Sequence, residues 1–166
     1  MRSADEWFEA YGESHQNPTN KLIHWICVPL IFTSLVAMLW ELKLPLNLDG
    51  SLLSLPIVEW ANAGVILIAL AMIYYLMISP ALAVGMLLVS ATAIWGAIWV
   101  GTLSQDLMGL GQWQGGLAIF VLAWIGQFIG HKIEGKKPSF FEDLQFLMIG
   151  PLWLLGFVYR RLSIKY

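Results

Sequence analysis

The chain has 166 residues, of which 58% are hydrophobic and only 12% charged, and it carries nine tryptophans, five tyrosines and eight phenylalanines. A soluble domain carries about twice that charge, whereas a mean hydropathy of +0.70 with so many aromatic rings suits a bilayer and its interfaces. A net charge of −2 offers no nucleic-acid footprint, and a single cysteine, Cys27, excludes an intrachain disulfide or a Cys-rich metal knuckle.

The polar, acidic opening MRSADEWFEAYGESH is not a secretory signal. Residues 1–16 read instead as an amphipathic interfacial helix. Ser3 and Glu6 make a Ser-x-x-Glu capping box. Trp7, Phe8 and Tyr11 share one face, made either to lie on the membrane surface or to pack on the other helices. Asn17-Pro18 ends that helix, and Asn20 is placed to cap the next. From Leu22 to Trp40, nineteen residues carry no formal charge, close to the ~20 that cross a bilayer. After a loop punctuated by Pro45, Asn47, Asp49, Gly50 and Pro56, further spans are expected at 61–79, 81–101 and 115–131. Pro80 turns one span into the next, and a glycine-containing loop with Asp106 precedes the last. The final apolar stretch, 144–159, holds Gly150-Pro151, which predicts a broken, re-entrant or interfacial segment. The expected fold class is all-α: one transmembrane domain over 1–166, an integral membrane helical bundle of about four full spans.

Cytoplasmic loops carry the excess of Lys and Arg. With the N-terminus inside and four crossings, eight of the nine basic residues lie inside and Lys43 alone outside. The membrane is a bacterial inner membrane, or the endoplasmic reticulum if the chain is eukaryotic. This topology brings His15, His24 and His131, all the histidines of the chain, to the cytoplasmic face.

Three neutral imidazoles at one level of a helical bundle can bind a metal, and ionisable groups at membrane depth are costly unless they have a use. The plainer alternative is three interfacial polar residues. Glu134 follows His131 by three residues and Gln127 precedes it by one turn, so all three share a helix face. Glu134 can be a fourth ligand, a partner that orients an imidazole, or a solvated charge at a helix end. The cluster Lys132, Lys136 and Lys137 can receive a carboxylate headgroup, although inside topology accounts for it equally well. Gly126 and Gly130 form a GxxxG pair suited to close helix packing, and Cys27 reads as a small buried apolar residue. Three histidines are too few for the histidine-rich di-iron enzymes of membranes, and HExxH, GxSxG and P-loop patterns are absent. What remains is a mononuclear site with open positions, as in non-haem Fe(II) oxygenases, though Zn(II) accepts the same ligands.

The runs YGESHQNPTNKLIHWICVPLI, Tyr11 to Ile31, and QFIGHKIEGKKPSFFEDLQFLMIGPLW, Gln127 to Trp153, resemble the fungal 2-hydroxy-fatty-acid dioxygenase family, named for its role in degrading phytosphingosine. The resemblance lies in the two ends of the chain, and its compact form is similar to bacterial members. It implies an Fe(2+)-dependent enzyme that uses O2 to shorten a 2-hydroxy fatty acid by one carbon (α-oxidation). The family's histidines fall on His15, His24 and His131 as metal ligands. Lys132, Lys136 or Lys137 would then steer the substrate carboxylate, with Glu134 or Gln127 supporting the catalytic centre. The fungal pattern places the carboxylate four residues after the last histidine; here Glu134 is at three, and both spacings keep one face. Two other readings stand beside it: a bis-His haem membrane protein with His24 and His131 as axial ligands, and a non-enzymatic lipid-binding module.

Overall fold

In the structure, a computed structural model that describes residues 2–45, 60–135 and 140–166, the first helix starts where its capping box predicts. Ser3 Oγ accepts the Glu6 N–H (3.3 Å) and Glu6 Oε2 accepts the Ser3 N–H (2.6 Å), opening α1 (Ala4–Gly12). Its apolar face is buried against the last helix, α6 (Phe140–Arg161). The Phe8 ring lies over Gly156, where an added Cβ would come within 2.6 Å of it, and the Tyr11 and Trp153 rings are 5.0 Å apart. Of the two fates expected for this helix, the structure realises packing onto its neighbours.

The second helix, α2 (Pro18–Trp40), begins earlier than the charge pattern predicts. Asn17, not Asn20, is its cap: Asn17 Oδ1 accepts the Thr19 N–H (2.9 Å) and the Asn20 N–H (3.4 Å). Pro18 then sits in the first turn, where a missing N–H costs nothing. The next helix, α3 (Ala63–Ile78), has 16 residues and falls short of the ~20 that cross a bilayer. Ser79 caps α4 (Pro80–Met108) through the Leu82 N–H (3.3 Å). This helix absorbs residues 102–108 of the loop expected over 102–114 and closes at Gly109, whose φ of +63° is left-handed, a common helix ending. The fifth, α5 (Gln112–Glu134), carries His131 in its last turn and closes on Gly135 in the same way.

Every described element is thus a helix, and three of them, α2, α4 and α5, are long and apolar enough to cross a membrane. The expected four full spans become three long helices and one shorter. Gly150-Pro151 does not break the last segment, since α6 continues through Pro151. The helix is held on both sides: Tyr75 O–H donates to the Met148 carbonyl (2.8 Å) and Tyr159 O–H to the Ala81 carbonyl (2.9 Å). Large apolar side chains face outward along the bundle, among them Leu88, Leu107 and Leu122, each more than two-thirds exposed. That is a surface for lipid rather than water.

The seam between α2 and α5 sets the geometry of the site. Gly116, Gly126 and Gly130 turn toward α2. A Cβ at Gly116 would lie 3.0 Å from the Ser34 carbonyl oxygen, and one at Gly126 would lie 2.6 Å from Cys27 Sγ, while Gly130 abuts the Asn20 side chain. Lipid tails are as apolar as leucine, so helices in a bilayer associate by close packing at small residues. The Met38 side chain can shift, but the Ser34 carbonyl and the Met38 amide are α2 backbone and cannot yield. Gly116→Val should therefore destabilise the fold by roughly 1–3 kcal/mol, the scale of an overpacked core. A lowered thermal midpoint in detergent, measured on metal-free protein, checks this.

Candidate metal centre

The turn between α1 and α2 places His15, α2 places His24 one turn after Asn20, and α5 places His131. All three are buried, His24 completely. The site lies at the end of the bundle where α2 begins and α5 finishes. The ring centroids of His15 and His24 are 4.2 Å apart, those of His15 and His131 5.2 Å, and those of His24 and His131 5.1 Å, with steeply inclined planes throughout. One ring nitrogen from each lies within 4.8 Å of the others. Nitrogens sharing one ion at ~2.1 Å are at most about 4.2 Å apart, so small ring rotations turn this cluster into a coordination shell.

Two of the imidazoles are fixed by the backbone. His15 Nδ1–H donates to the Tyr11 carbonyl (2.6 Å) and His24 Nδ1–H to the Asn20 carbonyl (2.9 Å), each four residues earlier. This selects the tautomer and leaves Nε2 with its lone pair. Both Nε2 atoms are buried without a hydrogen-bond partner, a costly state that a metal would relieve. Burial also pushes the His15 imidazole down to about 4, against the pull of the Tyr11 carbonyl, so it is neutral at physiological pH, as a ligand must be. Tyr11 stacks on His15 with centroids 4.2 Å apart and planes 7° from parallel, and Trp153 lies 5.4 Å away. These rings cover the histidine from the α6 side.

Glu134 holds the arrangement together from outside the cluster. Its Oε1 accepts the Gln16 N–H (2.8 Å), and its Oε2 accepts the Asn17 N–H (2.9 Å) and the Asn20 Nδ2–H (3.0 Å). Asn20 Nδ2 also donates to the Ser14 carbonyl (3.1 Å). Of the roles open to Glu134, this geometry is that of an anchor for the His15 turn. Gln127 is buried and lines the cavity beside His24. Lys132 lies exposed at the end of α5 and does not line that cavity; Lys136 and Lys137 fall outside the described residues. Cys27 packs at Gly126 instead of entering the site.

The cavity bounded by the three histidines has a volume of about 40 Å³ and is otherwise walled by Tyr11, Trp124 and Gln127 with apolar residues of α2, Phe32 among them, and of α6. A water occupies ~30 Å³ in the liquid, so an ion and a diatomic molecule fit and a porphyrin does not. On its other side His15 also borders an open recess of about 620 Å³ that carries Lys21, Arg160 and Trp153. Sequence reading missed Tyr11 and Trp153, whose only signal was their place beside the histidine motifs.

Fold and site together define a helical protein with membrane-crossing potential and a buried tri-histidine centre at one end of its bundle. The chain belongs to the Mpo1-like family, described as 2-hydroxy-palmitic acid dioxygenase Mpo1-like, whose family model matches residues 1–162. No curated protein and no solved structure matches it.

Glu134→Ala should release the His15 turn and weaken metal affinity by about 10–100-fold, as loss of ligand-supporting contacts does. The Co(II) absorption spectrum of the saturated variant should keep its wild-type shape, because no ligand is removed. Titration of Co(II) into wild type and variant measures both.

Proposed function

We propose that this protein is an Fe(II)-dependent dioxygenase that shortens 2-hydroxy fatty acids by one carbon at the cytoplasmic face of a membrane. The observation that carries the reading is the convergence of three buried imidazoles, two with backbone-fixed tautomers and orphaned Nε2 atoms. The family to which the chain belongs supplies the substrate class. The donor set suits Fe(II), since three neutral nitrogens leave several positions open. Bound there, Fe(II) supplies the O2 activation and C1–C2 cleavage that no side chain here can perform.

The chain's own residues do the rest. His15, His24 and His131 present neutral nitrogens and contribute no negative charge, so a divalent ion keeps its full charge in a poorly solvated site. Such a site would attract an anion, such as the head of a 2-hydroxycarboxylate with its carboxylate and hydroxyl. Gln127, on the cavity wall, is placed to donate its amide N–H to that head. Tyr11, Trp124 and Trp153 keep bulk water from it. Lys132, with Lys136 and Lys137, acts at longer range by drawing carboxylates to this membrane face, and Glu134 keeps His15 in place. The haem alternative has no support in a cavity of about 40 Å³.

Protein purified anaerobically in detergent and supplied with Fe(II) should hold about one iron per chain, and His131→Ala should lose it. Oxygen uptake should accompany conversion of 2-hydroxypalmitate to the acid one carbon shorter, with palmitate inert. If neither protein retains iron, and 2-hydroxypalmitate is recovered intact, the enzymatic reading is wrong.

A further inference from the structure

A cavity of about 40 Å³ cannot hold an acyl chain, so a long substrate needs a second space that communicates with the first. A crevice of about 170 Å³ lies between α2, α4 and α6, lined by apolar residues that include Val28, Pro29 and Phe32, Val89, and Pro151 and Val158. Val28 and Phe32 also line the histidine cavity. With His24 they stand at i, i+4 and i+8, one row on one face of α2. Val28 and Phe32 therefore form the wall shared by the histidine cavity and the crevice. Both intrahelical prolines of the described chain, Pro29 and Pro151, border it. A proline inside a helix removes one backbone bond and sets its ring against the preceding turn, and here the two helices that meet at the crevice each carry one. Trp25 and Val158, also on its lining, are 42% and 38% exposed, so the crevice opens on the outward face of the bundle.

From this we infer that the crevice is the acyl-chain site of the same centre, entered sideways from the bilayer, with Val28 and Phe32 as the partition between the carboxylate end and the tail. The inference rests on the 2-hydroxy-acid reading above and adds where the chain runs. A crevice of about 170 Å³ encloses only the methylenes next to the head, and the remainder lies in lipid. Lipid is as apolar as the crevice, so the crevice gives the substrate its register rather than its affinity. Chain lengths beyond the enclosed part are consequently handled alike.

The test uses full-length protein in nanodiscs and a palmitic-acid analogue with a photoreactive diazirine on its head-proximal methylenes. With Zn(II) in place of iron there is no turnover, and labelling reads occupancy alone. The label should fall on peptides containing Trp25–Phe32 and Pro151–Val158, and 2-hydroxypalmitate should compete it away. Val89→Trp should reduce that labelling about tenfold, the scale of an overpacked apolar space, and Val158→Trp should do likewise. Leu122→Trp, on the lipid face of α5, should leave it unchanged. In the iron-loaded protein Val89→Trp should lower kcat/KM for 2-hydroxypalmitate by a similar factor and leave that for 2-hydroxybutyrate, which ends before the partition, as in wild type. Label spread over all outward-facing helices and indifferent to 2-hydroxypalmitate, a bilayer lipid filling the space, overturns the inference. Crevice labelling that is competed in a protein without turnover keeps the chain site and removes the dioxygenase reading. Turnover with spread label and an unaffected Val89→Trp does the reverse.

Discussion

Two carboxylate oxygens at the end of α5 accept three N–H bonds from the α1–α2 turn and from Asn20, and the position of His15 depends on them. The turn has no regular structure to hold it, and its backbone amides would otherwise be left to water at a helix junction. Glu134 collects them because Gly130, one turn earlier on α5, lets Asn20 lie directly against the helix. The same Asn20 offers its carbonyl to His24 and its amide to Ser14. One asparagine and one glutamate thus align two histidines from two segments against a third. Bonds to an ionised acceptor are the stronger kind, and here they act on the placement of a site rather than on bulk stability.

Much of this fold is legible in the sequence because bilayers impose simple rules. Uncharged runs of the right length mark α2, α4 and α5, and the capping box marks α1. Proline is the poorer guide. Pro18 is not what stops α1, which has already ended at Gly12; it opens α2, since the first turn of a helix has N–H groups to spare. Pro151 reads as a break and is carried inside α6, where Tyr75 and Tyr159 bond nearby carbonyls of adjoining helices and packing outweighs one lost backbone bond. The loop predicted after residue 101 is helix to Met108 because nothing from Thr102 to Met108 forbids helix; the stop is Gly109, where a left-handed φ is available.

The site was legible in kind and less so in detail. Three histidines at one depth point to a common centre whatever their spacing. The division of labour around them is tertiary: Glu134 at i+3 from His131 shares its face yet bonds a distant turn, and the basic cluster that topology brings to the same side shows in Lys132 an exposed residue. Tyr11 and Trp153 carry no motif, and only the packing of α1 on α6 brings them over His15.

His15 stands near the beginning of the chain and His131 near its end, with α2, α3, α4 and most of α5 between them. During synthesis the first two histidines are therefore made long before the third, and the Glu134 anchor arrives later still. Until α5 is in place against α2, the nascent protein has one imidazole on α2 and one on an untethered turn. The complete set of nitrogens exists only in a finished bundle, so the proposed metal site can form only after the last of the three long apolar helices has packed against the first.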